Sequence, residues 1–272
     1  MTSVGRSNDR VFDLSGTLRA ARVQKRSYNN VRLLAWNVRS GNAPQLFDAM
    51  VALDPDLAVL TECRRIHAAE LIVEGRTRGY PDALQEFDGA GIGLCVISRF
   101  PIIRGEVQSP PLPGRWLHAL THDGFSIGAV YGPLPGGDGA EATSNYWAWL
   151  TTIARAWATI PALLCGDFNS GNPALDSKNS YSFPGARQFV GLGEMGWRDA
   201  FRECHGNVWE YSWRSRQNGF RIDHCLLSAA VPRLISAAYV RKVGQFTLGG
   251  FEPNAQTAAH SLSDHAALMV EI

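Results

Sequence analysis

The chain of 272 residues contains no apolar run of about eighteen residues, so no segment reads as a membrane-spanning helix. It has no low-complexity tract and no internal repeat, which excludes solenoid and fibrous architectures. Its five cysteines, Cys63, Cys95, Cys165, Cys204 and Cys225, form no Cys-x-x-Cys pair. That spacing provides neither a zinc-ligand set nor an even disulfide framework, and three of the five lie inside apolar runs. They read as small buried hydrophobes in a reducing compartment, and a cytoplasmic location is expected. The N-terminus lacks the apolar core and small-residue cleavage site of a signal peptide.

Charge imbalance is also nearly absent, with a net charge of +1, yet the distribution is uneven. Residues 1–30 hold Arg6, Arg10, Arg19, Arg22, Lys25 and Arg26 against Asp9 and Asp13, a net +4 that leaves −3 on the remainder. The sequence therefore divides into a basic arm over 1–30 and a body over 31–272. Two readings of the arm stand, a solvated tail or a contact for phosphates. A slightly acidic body is no generic polyanion binder, so any nucleic-acid contact must use local patches.

What the chain does contain is a series of strand-like runs that end on polar residues. The run from Ile160 to Leu164 stops at Cys165-Gly166-Asp167-Phe168-Asn169, which reads as a buried strand delivering Asp167 and Asn169 to the rim of a sheet. A carboxylate there can take a proton or meet a cation, and the amide of Asn169 can hold an anionic oxygen. Residues 31–37 predict a strand ending on Asn37, followed by a helix introduced by Asn42 and Pro44 with Leu46, Phe47, Met50, Val51 and Leu53 on its apolar face. Residues 56–62 predict a second strand ending on Glu62, then a helix over 64–74. Glu62 can be a helix N-terminal acid facing the dipole or a member of a shared rim.

Residues 91–98 predict a fully buried strand, and 115–120 with 125–131 an antiparallel pair around His122-Asp123-Gly124. The latter ends in Tyr131, which is either a plain strand-end aromatic or a phosphate contact. Residues 145–159 predict a helix whose Tyr146, Leu150, Ile153, Ala154 and Trp157 form a core face. A loop over 171–187, a helical passage over 188–204 and a short strand over 210–213 follow. Residues 221–228 predict a strand containing Asp223. Leaving that acid charged and unpaired would cost several kcal/mol, and the Asp264-His265 pair before the last strand, 266–272, provides a partner in His265.

The ordered set Leu34-Ala35-Trp36-Asn37, Leu60-Thr61-Glu62, Gly166-Asp167-Phe168-Asn169, Arg221-Ile222-Asp223-His224 and Ser263-Asp264-His265 resembles the endonuclease/exonuclease/phosphatase superfamily. The resemblance runs from about residue 31 to the C-terminus. It implies an α/β fold, a four-layered α-β-β-α sandwich of two mostly antiparallel sheets flanked by helices. Tyr131-Gly132-Pro133, the run Trp197-Arg198-Asp199-Ala200-Phe201-Arg202, then Tyr211-Ser212-Trp213 and Gly219-Phe220-Arg221-Ile222-Asp223 are similar to the exonuclease III-type abasic-site endonucleases. Two departures are plain: Arg39 stands where that branch has Asp, and the turn between Trp213 and Phe220 is short.

The resemblance implies phosphodiester hydrolysis on DNA with Mg²⁺, for which Mn²⁺ can substitute. Glu62 would bind the metal with Asn37 and Asp264 beside it, and Asp167 would orient or deprotonate the attacking water. Asn169, Tyr131 and His265 would hold phosphate oxygens, and Asp223 would fix His265. Trp213, Phe220 and Ile222 match an apolar pocket for a base-less sugar, and Arg115 counts among the substrate contacts. The alternative within the same fold is a phosphatase or phosphodiesterase acting on RNA, phospholipid head groups or small phosphate esters.

Overall fold

Leu33 and Ala35 face one way from the first strand, and Leu34 and Trp36 face the other, yet all four are buried. A strand covered on both faces lies between two layers, and its period of two feeds both. The computed structural model describes residues 30–43, 45–134, 136–251 and 260–272. Its elements in chain order are β1 (Arg32–Ser40), α1 (Leu46–Leu53), β2 (Leu57–Arg64), α2 (Arg65–Thr77), β3 (Asp82–Phe87), β4 (Ile92–Ser98), β5 (Ile102–Arg104), β6 (Trp116–Thr121) and β7 (Ser126–Tyr131). There follow α3 (Ala140–Trp157), β8 (Ala162–Asp167), α4 (Ala186–Glu194), β9 (Arg198–Asp199), α5 (Ala200–His205), β10 (Trp213–Arg214), β11 (Gly219–Phe220), β12 (Asp223–Leu227), β13 (Ser236–Val240), β14 (Lys242–Val243), β15 (Phe246–Thr247) and β16 (Ala267–Glu271).

Two six-stranded sheets result, ordered β13-β16-β1-β2-β4-β3 and β5-β6-β7-β8-β12-β9. Both are mixed: β1 runs parallel to β2 and β7 parallel to β8, and the other pairings are antiparallel. Between them lies one apolar layer, with Leu33, Ala35, Leu57, Val59 and Val96 meeting Leu117, Ile127, Ala129, Leu163 and Leu227. Outside the first sheet, Leu46, Phe47 and Met50 of α1 and Leu71 of α2 cover Leu34, Trp36 and Leu60. Outside the second, Tyr146, Leu150 and Ile153 of α3 and Phe189 of α4 cover Val130, Leu164 and Leu226. The fold is the expected four-layered α-β-β-α sandwich.

Several expectations need correction. The passage over 188–204 is not one helix: α4 ends before Gly196, whose φ of +94° admits glycine readily, and β9 and α5 follow. Trp197 is buried there with its indole N–H on the Ala154 carbonyl, which fixes the break. The strand expected over 210–213 shrinks to β10, paired with β11 and joined to His265 by a single bridge from Trp213. The strand expected over 221–228 starts later, with Asp223 as the first residue of β12. The basic arm over 1–30 lies outside the described residues except for Asn30, as does the helix-start residue Pro44.

Candidate active site

Because β1 and β2 are parallel, their C-terminal ends share one edge, and β7 and β8 bring theirs to an edge of the facing sheet. The antiparallel β12 and β16 start where β8 and β1 finish. The inward-facing rows therefore end together. Leu33 and Ala35 lead to Asn37, Leu163 and Cys165 lead to Asp167, and Leu227 and Cys225 lead back to Asp223. Tyr131, Asp167 and Asp223 are register partners in one row across three strands. The apolar layer is thus capped by polar groups at one rim.

Two backbone devices shape this rim. A β-bulge between Thr61 and Cys63 leaves Glu62 without a register partner at φ +58°, which lifts it out of the alternation that buries its neighbours. Asn169 is also left-handed, at φ +47°. Gly166 and Gly132 permit close approach, since a Cβ would lie 2.2 Å from the Val130 carbonyl at the first and 1.9 Å from the Phe168 carbonyl at the second.

The side chains then lock together. The Asn37 amide nitrogen donates to Glu62 Oε2 at 3.0 Å and to Asp167 Oδ2 at 2.8 Å, while its oxygen accepts the Arg39 N–H at 3.0 Å. Asp167 Oδ1 accepts the Asn169 backbone N–H at 2.8 Å, and the Asn169 side chain donates to the Gly132 carbonyl at 3.0 Å. His265 Nδ1 lies 2.8 Å from Asp223 Oδ2, the partnership that the sequence suggested for a buried acid. Ser263 Oγ donates to the Asn37 carbonyl and accepts the His265 N–H, and the Trp36 indole donates to the His265 carbonyl. Strands distant in sequence are pinned to one another through these bonds.

Electrostatics follow from burial. Asp167 is pushed up to about 7, first by its own burial and then by the Asp223 carboxylate, against which His265, the Asn169 N–H and Asn37 pull downward. Burial works to neutralise His265, but the Asp223 charge, the hydrogen bond to it, Asp167 and Asp264 outweigh burial and raise it to about 10. His265 is therefore an imidazolium at neutral pH, donating through Nδ1. Burial, with Glu62 and Asp167 nearby, pushes the Tyr131 phenol up, so it stays a neutral donor.

The donor chemistry suits a divalent cation. Asp167, Asp223 and His265 each offer an atom within 4.8 Å of the others. An imidazolium is no ligand, however, and among the described residues the negative charge is incompletely matched: four carboxylates at the rim face one cationic ring, and Asp223 Oδ1 is buried without a donor. Half-exposed Glu62 has only the neutral Asn37 amide as a hydrogen-bond partner among the described residues, leaving hard oxygens for a cation. Asp264 sits at the same rim with its Oδ2 accepting the Trp213 indole N–H at 3.1 Å.

The remaining candidates fall in two places. Trp213 stacks on Phe220 at 5.7 Å and 17°, with buried Ile222 two residues further on. Tyr181 and Phe183, which sequence reasoning left in a loop, lie 4.9 and 5.1 Å from Phe220 and extend this aromatic wall. The Arg115 guanidinium is buried against Asp138 at 3.0 Å, 4.2 Å above the Tyr131 ring. It buttresses Tyr131 and does not reach into solvent. Sequence reasoning also missed the buried network behind β12: Arg221 bonds Asp176 at 2.7 Å and Asp199 at 2.6 Å, and Arg202 joins Asp176 at 2.6 Å. Arg221 inside an apolar strand motif was the signal for it.

Comparison with known proteins matches residues 34–265 to the Endonuclease/Exonuclease/phosphatase family. No curated protein sequence matches the chain. A 3′-5′ exonuclease from Neisseria meningitidis superposes with a TM-score of 0.69 at 20% identity, over 89% of this chain and 99% of that one. An AP endonuclease from Archaeoglobus fulgidus superposes at 0.70 and 17% identity, over 88% and 98%. A Neisseria 3′ phosphatase bound to a product DNA hairpin gives 0.70 at 21% identity, over 89% and 99%.

Proposed function

The chain belongs to the endonuclease/exonuclease/phosphatase family, and from that premise we propose that it is a divalent-metal-dependent phosphodiester hydrolase acting on DNA, as a repair-type endonuclease or a 3′ exonuclease. The observation that carries this reading is the Asp167 carboxylate. It is buried, raised to about 7 and oriented by Asn37 and the Asn169 N–H, beside a His265 imidazolium held by Asp223.

Asp167 near neutrality can take a proton from an attacking water and release it again, as a general base must. The His265 imidazolium, the neutral Tyr131 phenol and the second N–H of the Asn169 amide are donors for the phosphoryl oxygens, where charge builds in the transition state. Asp223 keeps His265 charged and holds the ring by Nδ1, which leaves Nε2–H to donate. Mg²⁺, or Mn²⁺ in its place, would be held by Glu62, Asn37 and Asp264, and when bound supplies charge neutralisation at those oxygens.

DNA as substrate draws support from three sources: the exonuclease and AP endonuclease among the structural neighbours, the neighbour carrying a DNA hairpin, and the aromatic wall of Trp213 and Phe220 beside Ile222. That wall suits a flipped-out sugar. Arg39 and Arg64, exposed beside Glu62 with no ion pair among the described residues, are local patches for phosphates, and the basic arm over 1–30 is a further candidate. Five free cysteines, four of them buried, fit a reducing compartment such as the cytoplasm. No helix among the described residues is long and apolar enough to cross a membrane. The −3 charge of the body favours the second reading, a phosphatase or phosphodiesterase acting on RNA, phospholipid head groups or small phosphate esters.

The test is a substrate panel with Mg²⁺: abasic duplex, intact duplex, single strand, RNA and phosphoinositide. Asp167→Asn and His265→Ala should each lower turnover about 10²–10⁴-fold with the fold intact. Near-parent rates in either variant would remove the assignment, and hydrolysis of phosphoinositide alone would move it to the second reading.

A further inference from the structure

An open cavity of about 380 Å³ takes no part in the chemistry above. It is lined by Trp209, Glu210, Tyr211, Arg214, Arg241 and Phe251. Trp209 is 54% exposed and Val208 beside it 49%, an unusual placement for an indole that could be buried. The Trp209 and Tyr211 rings lie 6.5 Å apart at 38°, and the Arg214 guanidinium sits 5.0 Å over Tyr211. Arg241 pairs with Glu210 at 2.5 Å and donates to the Tyr211 carbonyl at 2.6 Å, which holds the Tyr211 backbone in place. Lys242 lies 5.9 Å from the Phe251 ring. Residues 207–251 hold six Arg and Lys against two acids; Arg221 is buried in the network behind β12, and the cationic side chains at the cavity itself are Arg214, Arg241 and Lys242 against Glu210.

Two chain segments connect this cavity to the rim. Tyr211 and Trp213 flank Ser212, whose hydroxyl accepts the backbone N–H groups of Ile222 and Asp223 at 3.0 and 3.1 Å. On the other side, the Gly250 N–H donates to the Asp264 carbonyl at 3.1 Å. The cavity is therefore the next station along the surface from Trp213 and Asp264.

We propose that the Trp209–Tyr211 cavity is a nucleobase-stacking subsite that takes an unpaired base of a nucleic-acid strand whose phosphodiester lies at Asp167. The inference rests on the phosphodiesterase reading and narrows it to a polynucleotide substrate with a single-stranded portion. Exposed aromatic faces stack any base, and guanidinium groups around them meet the flanking phosphates, the combination by which proteins hold single strands without reading sequence. A base still paired in a duplex presents no free face to such a surface. Charge complementarity favours this occupant over an apolar peptide.

The experiment measures fluorescence anisotropy of a labelled oligo-dT single strand and of a blunt duplex, on parent, Trp209→Ala and Trp209→Phe proteins, with Ca²⁺ in place of Mg²⁺. Turnover of bis(p-nitrophenyl) phosphate in Mg²⁺ monitors the integrity of the rim. Trp209→Ala should weaken single-strand binding about tenfold or more, leave duplex binding and small-ester turnover at parent values, and regain most of the affinity as Trp209→Phe. Unchanged single-strand affinity in Trp209→Ala overturns the subsite and leaves the cavity to a protein partner or a second copy. A matching loss on the duplex or on the small ester also overturns it, since stacking of an unpaired base would then not be what was removed. A parent protein that binds the single strand through Trp209 but hydrolyses no phosphodiester sinks the phosphodiesterase reading while the subsite stands.

Discussion

Replacing Asp223 by Asn removes a charge and little else. The amide oxygen can still accept the His265 Nδ1–H across the present 2.8 Å, so ring orientation should survive. The His265 pKa should not. Burial, the largest influence on the ring, acts to neutralise it, and the Asp223 charge is the first of the groups that reverse this and raise it to about 10. Without that charge the ring should titrate several units lower, at or below the ordinary histidine value of about 6.5. A ring titrating at about 6 is only about 3% cationic at pH 7.5, whereas one at about 10 is almost wholly so. If the imidazolium is the working form, protonation alone accounts for a loss of about thirtyfold at pH 7.5. The deficit should shrink as pH is lowered toward 5.5. Asp167 assists this recovery, because Asp223 is one of the groups raising it, and in the variant it stays ionised to lower pH. The assay is kcat against pH at saturating Mg²⁺ for both proteins, with the imidazole resonances of His265 followed by NMR. A parallel stability effect carries a defined sign. A histidine raised to about 10 stabilises the fold fully below about 6.5 and loses that contribution as pH climbs through 10, so the parent's advantage in thermal unfolding should close at high pH. A variant whose rate deficit is independent of pH, or whose His265 still titrates near 10, would refute the role given to Asp223.

Three further outcomes test separate parts of the structure. Arg221→Met removes one of the two arginines that hold buried Asp176, leaving Arg202, and the one arginine on Asp199, and breaking such pairs costs about 3–5 kcal/mol; the melting temperature should fall by about 6–20 °C at pH 7. Both acids are held below the usual carboxylate range, working against burial, by Arg221 and His224 among others. Their contribution is present above about pH 4 and fades as pH falls through the folded values, so a parent–variant gap equally wide at pH 3 would contradict the account. Mg²⁺ at about a hundred times its dissociation constant should add about 2.7 kcal/mol to stability, read as a rise in melting temperature that Glu62→Gln abolishes; equal rises in both proteins would move the metal elsewhere. Arg39→Ala should raise KM for DNA severalfold and lower the salt slope of binding by about one, and an unchanged slope would take Arg39 out of contact with phosphate.

How legible the molecule was depended on how far each feature lay from its cause in the chain. Strands buried on both faces write themselves as apolar runs, so β1, β2, β4, β7, β8 and β12 and their polar ends were readable locally. Strand β3 reads Asp-Ala-Leu-Gln-Glu-Phe because it is a half-exposed edge, and nothing in its pattern marks it as part of the first sheet. Arg115, counted among the substrate contacts, is instead buried against Asp138, 23 residues away, a pairing that nothing near it in the chain signals. Tyr181 and Phe183 sit in a Ser- and Asn-rich stretch whose only visible signal was loop character, and their packing on Phe220 is a tertiary fact. The Asp223–His265 pair was the exception, a contact across 42 residues that could be inferred because a buried acid demands a partner and few were on offer.

The same reasoning explains why the rim departs from good strand geometry. A regular β2 would bury Thr61, send Glu62 outward under α2 and return Cys63 to the inter-sheet layer. The bulge breaks this alternation, and a left-handed backbone at a non-glycine residue costs about 1–3 kcal/mol. Asn169 bears the same kind of strain on the facing sheet. Neither residue gains compensating burial of its own apolar surface, and both end with their polar groups beside Asp167, one through Asn37 and the other through its own N–H. Packing alone would favour glycine at both positions. Asp54 and Ser180 are left-handed away from the rim, so the backbone alone does not mark a site; on the proposed function, a carboxylate at Glu62 and an amide at Asn169 bring oxygen ligands and N–H donors beside Asp167.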